Sequence, residues 1–173
     1  SQGISFLAVD QNGQPMMRAI NWLDKRAMAE VEEVLKYFSE RQIYEITGKR
    51  VDSTYVLPKL LWLKKREPMI FNNAAHFVMA HDFIVAKLCG NYVTDYTMAS
   101  GTMLFDISKR CWSHKLMERF GIEEAKLPRV MAAGSKAGVI LPHVAEELGL
   151  NEDVIVSVGG QDQKCAALGA GIA

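Results

Sequence analysis

The chain has 173 residues, 49% hydrophobic and 23% charged, a balance that implies a packed core and excludes wholesale disorder. Twenty basic and twenty acidic side chains cancel, so no nucleic acid and no charge-driven partner is indicated. No apolar run is long enough to span a bilayer, and the opening Ser1-Gln2-Gly3-Ile4-Ser5 lacks the basic start of a signal peptide.

The chain opens into a strand-like run, Ile4 to Val9, closed by the turn residues Asp10-Gln11-Asn12-Gly13. A short strand is expected over Met17 to Asn21, ahead of Trp22-Leu23-Asp24-Lys25-Arg26. Ala27, Val31, Val34 and Phe38 then recur at helical spacing, with acidic and basic residues on the opposite face. A second helix ends near Ile46-Thr47 at Gly48. Pro58 suits the first turn of a helix carrying Leu60, Leu61 and Leu63, with Lys64-Lys65-Arg66 at its C-terminal end and Pro68 closing it. His76 to Met79 reads as a strand, and Asp82 as the N-cap of a helix from Phe83 to Cys89 stopped by Gly90. Thr94 to Thr102 is a polar, small-residue segment of the kind that forms a loop. Short helices follow at His114 to Phe120 and Pro142 to Leu148. Asp153 to Val158 is a β-branched run suggesting a buried strand, and Asp162 to Ala170 has helical composition.

The last of these carries the most chemistry. Gly159 and Gly160 after a strand permit a sharp turn and close approach of a ligand. A carboxylate just beyond a strand end, Asp162, would point into the crevice where open α/β sheets bind ligands, placed to take a proton from a substrate hydroxyl. The competing reading makes Asp162 the N-cap of the next helix. Trp22 with Asp24 and Arg26 suits a sugar, the indole covering C–H groups and the charged groups bonding hydroxyls; a buried tryptophan before a helix capped by Asp24 is the alternative. Cys89, Cys111 and Cys165 are odd in number and far apart, which fits reduced thiols of a cytoplasmic protein. They and the four histidines show no zinc spacing, and no phosphate-loop motif is present, so no metal site is assigned.

Six segments in order carry a resemblance. They are Ser1-Gln2 entering a strand that ends at Asp10, with Gly13 beyond; Ala19-Ile20-Asn21-Trp22-Leu23-Asp24-Lys25-Arg26; Ile46-Thr47-Gly48; Pro58-Lys59-Leu60-Leu61-Trp62-Leu63; Thr94 to Thr102; and Gly159-Gly160-Gln161-Asp162-Gln163 with Ala166 to Gly171. Together they resemble the N-terminal domain of the FGGY family of carbohydrate kinases over essentially the whole chain.

The resemblance implies an α/β, actin-like (ribonuclease H-like) domain, incomplete, with residues 1–173 forming the substrate side of a two-domain kinase that phosphorylates a sugar or polyol. It implies ATP and Mg2+ as cofactors of the longer protein, with ATP held largely by a C-terminal domain that this chain lacks. Asp162 matches the family's base, and Gln163, Trp22, Asp24 and Gln2 fall on the substrate side. Gly3 and Ile4 stand where glycerol kinases carry Arg-Glu and xylulose kinases Met-His, so neither substrate class is indicated.

Nothing before Ser1 corresponds to the family's phosphate-holding hairpin. The expectation is therefore a fragment that binds no nucleotide tightly and is inactive alone, with exposed strand edges that invite a homodimer. The rival expectation is a non-catalytic actin-like binding or assembly module.

Overall fold

The computed structural model describes residues 3–172. Strand β1 (Phe6–Val9) is buried along its whole length, and its side chains alternate between two clusters. Phe6 and Ala8 face the main core while Leu7 and Val9 pack with Val78 on the other side, as the two-residue period of a strand requires. It pairs antiparallel with β2 (His76–Met79). After β1, Asp10 accepts the N–H groups of Asn12 and Gln14, each at 2.8 Å, and Gly13 takes φ +69°, so the chain folds back on itself.

The strand expected over Met17 to Asn21 does not form. Only isolated bridges join this return to β1, at Pro15 opposite Val9 and at Ile20, which exchanges both main-chain hydrogen bonds with Phe6. The bonds of the Pro15 bridge come from its neighbours, the Asp10 N–H to Gln14 O and the Met16 N–H to Ala8 O, each at 2.9 Å.

Helices α1 (Met28–Tyr37), α2 (Glu40–Thr47) and α3 (Val56–Arg66) follow. Val56, Leu57, Leu60, Leu61 and Leu63 make α3 the central helix of the main core, its face recurring at helical spacing. Pro68 ends α3 but also opens a further helix, α4 (Pro68–Asn73), because proline fits a first helical position. In α5 (Ala80–Cys89) the cap differs from expectation. The helix starts three residues early, and Asp82 reaches back from its third position to accept the Met79 N–H at 2.9 Å.

Beyond it come β3 (Val93–Asp95) and α6 (Tyr96–Ser100), a helical turn where the sequence suggested a loop. Next are the hairpin β4 (Phe105–Asp106) and β5 (Cys111–Trp112), α7 (His114–Phe120), a 3-10 turn (Glu124–Lys126) and β6 (Arg129–Met131). The described chain ends with β7 (Lys136–Val139), α8 (Pro142–Leu148), β8 (Ile155–Ser157) and α9 (Asp162–Gly169).

Among the described residues the strands form four two-stranded sheets: β1 with β2, β3 parallel to β6, β4 with β5, and β7 with β8. A second core cluster joins Val85, Val93, Ala145, Val156 and Val158. The run expected as a fully buried strand is half-buried instead. Val156 faces this cluster while Ile155 is 60% exposed, since only one of its faces finds a partner layer.

Candidate active site

The two glycines after β8 are dictated by room, since neither has a positive φ. A Cβ on Gly159 would stand 3.2 Å from Nε2 of the buried His81, and one on Gly160 would meet Cys165 Sγ at 3.0 Å and Thr97 Oγ1 at 3.5 Å. The close approach expected from a ligand is made by the protein's own side chains. Behind the turn lies Asp95, which is buried and satisfied. Its carboxylate accepts the Thr97 N–H (2.8 Å), the Thr97 hydroxyl (2.6 Å) and the Met98 N–H (3.0 Å). The Thr97 oxygen in turn accepts the Gln161 N–H at 2.9 Å. Through this relay the buried end of β3 and the start of α6 hold the entry to α9.

Asp162 is the first residue of α9, and the cap position belongs to Gln161. One Asp162 oxygen, Oδ1, accepts the adjacent Gln163 N–H at 2.8 Å, while the side chain stays exposed. The helix-cap reading thus gives way to a carboxylate that faces outward.

It faces a cleft of about 370 Å³, within the range of small-molecule sites at roughly 300–1,000 Å³. Trp22, Gln161, Asp162 and Gln163 line this cleft together, although Trp22 lies 140 residues from Asp162 in sequence (162 − 22). Gly3, Ile4, Thr54, Tyr55, Met98, Ser100 and Gly101 complete the walls with Thr97, Lys49 and Lys164. Asp162 is the sole carboxylate among these lining residues.

Trp22 is 41% exposed, so the indole presents a face to the cleft rather than filling the core. Asp24 stands elsewhere: both its oxygens are engaged by the Arg26 guanidinium at 2.8–3.0 Å, which holds the carboxyl below its usual range, and it does not line the cleft. Gln2 lies outside the described residues. Gly159 and Gly160 shape the turn from behind and are not lining residues.

Tyr55, Thr54 and Lys49 line the cleft without belonging to any of the six segments, and Thr97 belongs to one of them. Tyr55 is pushed up by burial and by the charge of Asp52. Asp52 is itself held down by the Thr54 hydroxyl and N–H. Burial and the nearby Lys164 charge pull Lys49 down. Thr97 was legible only as one hydroxyl in a polar run, and its local bond to Asp95 is of the expected kind. Its bond to Gln161 is not.

The arrangement offers one open carboxylate beside an aromatic face and a ring of hydrogen-bonding groups. That set can hold a polyhydroxylated molecule and remove a proton from one of its hydroxyls. No group of three or more His, Cys, Asp or Glu among the described residues is placed to hold a metal ion. No described helix is long and apolar enough to cross a membrane.

Similarity to known proteins extends over nearly the whole chain. The sequence profile of the FGGY family of carbohydrate kinases, N-terminal domain, matches residues 1–169. The chain is 34% identical to a xylulose kinase of Staphylococcus xylosus over 98% of its own length and 37% of that protein. It is 35% identical to a xylulose kinase of Bacillus subtilis over 96% of its length and 33% of that protein. The structure superposes on a ligand-bound xylulose kinase from Lactobacillus acidophilus with a TM-score of 0.92 at 26% identity, covering 99% of this chain and 35% of that one. The chain thus spans about a third of the length of these relatives, and it belongs to the FGGY family of carbohydrate kinases, whose N-terminal domain it carries.

Proposed function

We propose that the protein carrying this chain transfers the γ-phosphoryl group of ATP to a hydroxyl of a sugar or polyol bound in the cleft, with Asp162 as general base. The observation that carries the reading is the meeting of Asp162 and Trp22 on one cleft while every other carboxylate lies outside it. The indole covers the C–H face of the substrate, and Gln163, Tyr55 and Thr54 offer hydrogen bonds to its hydroxyls. Gly3 and Ile4 contribute a wall without charge, which suits a neutral ketose or polyol.

As the substrate oxygen bonds to phosphorus, its proton passes to Asp162, the bond from phosphorus to the bridging oxygen breaks, and ADP leaves with that oxygen. In such a transfer the protein mainly positions and neutralises, so a single well-placed base is a sufficient contribution from this domain. Magnesium would travel with ATP: Asp162 alone makes no magnesium site, and no step is assigned to the ion here. We read the chain as the substrate-side domain, with ATP held and water excluded by a second domain of the longer protein.

Coupled measurement of ADP release, with the longer protein set against a panel of ketoses, polyols and sugar acids, tests the proposal. One neutral sugar or polyol is expected to drive turnover. Asp162→Asn is expected to abolish that turnover while sugar affinity stays near wild type; a fully active variant would remove Asp162 from the mechanism.

A further inference from the structure

Lys59 is the one Lys or Arg among the described residues that is buried, at 0% exposure, and it forms no ion pair. It sits in the first turns of α3, and its ammonium donates to three main-chain carbonyls: Asn21 O at 2.8 Å, Thr54 O at 3.0 Å and Trp22 O at 3.4 Å. An ammonium has three donors and no acceptor, so three carbonyls match its valence and offset part of the cost of burying it. A stabilising role in the core would be met more cheaply by an apolar side chain. What the lysine adds is a tie between two segments that touch the cleft from different parts of the chain, the turn holding Trp22 and the turn holding Thr54 and Tyr55.

We infer that Lys59 is a positioning residue that ties the Trp22 turn to the Thr54–Tyr55 turn, fixing the distance between the aromatic face and the hydroxyls that meet the substrate. The inference rests on reading this cleft as the sugar site.

The charge on the tie depends on pH. Burial pulls Lys59 down to about 8, reinforced by the charges of Lys25 and Arg26 and opposed by those of Asp24 and Asp52. The acids of α1 nearest α3, Glu30 and Glu33, are engaged with Lys65 at its far end. A neutral amine keeps two N–H donors and no longer bears the cost of a buried charge, so above that pH it stays in place with one carbonyl bond fewer.

Selective 13C labelling of lysine follows the Cε resonance of Lys59 through a pH series, while amide exchange, corrected for its intrinsic pH dependence, reports on residues 21–24 and 52–55. The expected result is titration near pH 8, with exchange in both segments about tenfold slower by pH 9 than at pH 7, because an opening that rehydrates Lys59 is favoured while the group is charged, and α7 and α8 unchanged. Lys59→Met should show about tenfold faster exchange in both segments at pH 7 without the pH step and, in turnover, a raised KM with a smaller change in kcat.

Titration of Lys59 in the ordinary lysine range, or segments whose exchange ignores its charge, would overturn the inference. The wild-type pH series decides the matter even where the variant fails to fold. Charge-dependent exchange of both segments in a protein that binds no sugar at pH 7 would uphold the tie and overturn the reading of the cleft.

Discussion

Two carboxylates next to candidate sugar-binding residues end in opposite states, and the difference lies in their neighbours. Asp24 meets a guanidinium two residues on and spends both oxygens there. Asp162 meets an amide next door that engages one oxygen, and its side chain stays open to the cleft. The Thr97 hydroxyl accepts the N–H of the preceding Gln161 and donates to the buried Asp95, tying the entry of α9 to the end of β3. Thr97→Val keeps the shape and removes both bonds, so it should cost about 1 kcal/mol of stability, read from urea unfolding. With Asp162 as the base we propose, turnover by the longer protein should show kcat lowered on the order of tenfold or more with little change in sugar affinity, because displacing the base costs rate before binding. Unchanged kcat with the stability loss present would show that the relay supports the fold and positions nothing. The carboxylate at a strand-to-helix turn was legible in the sequence, whereas this support was not: Thr97 and Gln161 are 64 residues apart, and no local pattern encodes their meeting.

At the scale of elements, glycine stops such as Gly48 were legible in the sequence, whereas the start of α2 was not read from it although its capping chemistry is local. In α2 the Ser39 hydroxyl accepts the Gln42 N–H at 3.2 Å while Gln42 Oε1 accepts the Ser39 N–H at 2.9 Å, and Gly48 closes the helix at φ +65°. Ser39→Ala should therefore destabilise the protein by about 1 kcal/mol, with the α2 amides exchanging faster and turnover unchanged, since Ser39 is exposed and outside the cleft. An unaltered unfolding midpoint would mean that α2 is held by its buried face, Ile43 and Thr47, and gains nothing from its cap. Where the cap sits inside the helix the reading slipped. Asp82 looks like an N-cap because it precedes an apolar run, yet it serves from the third position, and Met79 supplies no polar side chain to mark the true start. The two-residue strands β4 and β5 are too short to show any periodicity. The turn α6 hid in a hydroxyl-rich segment because Asp95 caps it with both oxygens, a bond pattern that a loop could equally make.

Over the whole molecule, one buried cation behind the cleft can be followed through global stability. The Lys59 proton is bound at an ordinary value of 10.5 in the open chain and at about 8 in the folded one. Below pH 8 both states carry the charge, and the folded state bears the full cost of burying it. Between about 8 and 10.5 the unfolded chain binds more protons than the folded chain, so the stability owed to this group rises with pH, opposite to a lysine that gains a carboxylate partner. Other groups titrate nearby: Lys49 is also lowered by burial and adds the same sign, while Tyr55 and Tyr92 are raised and act only towards the alkaline end. Subtracting a variant without the proton removes these shared contributions. The unfolding free energy of wild type minus that of Lys59→Met, measured in urea from pH 7 to 10, should be flat below pH 8 and then grow in favour of wild type. A difference that stays constant across the range would mean the ammonium is not desolvated where three carbonyls surround it, and the tie between the two walls of the cleft would lose its physical basis.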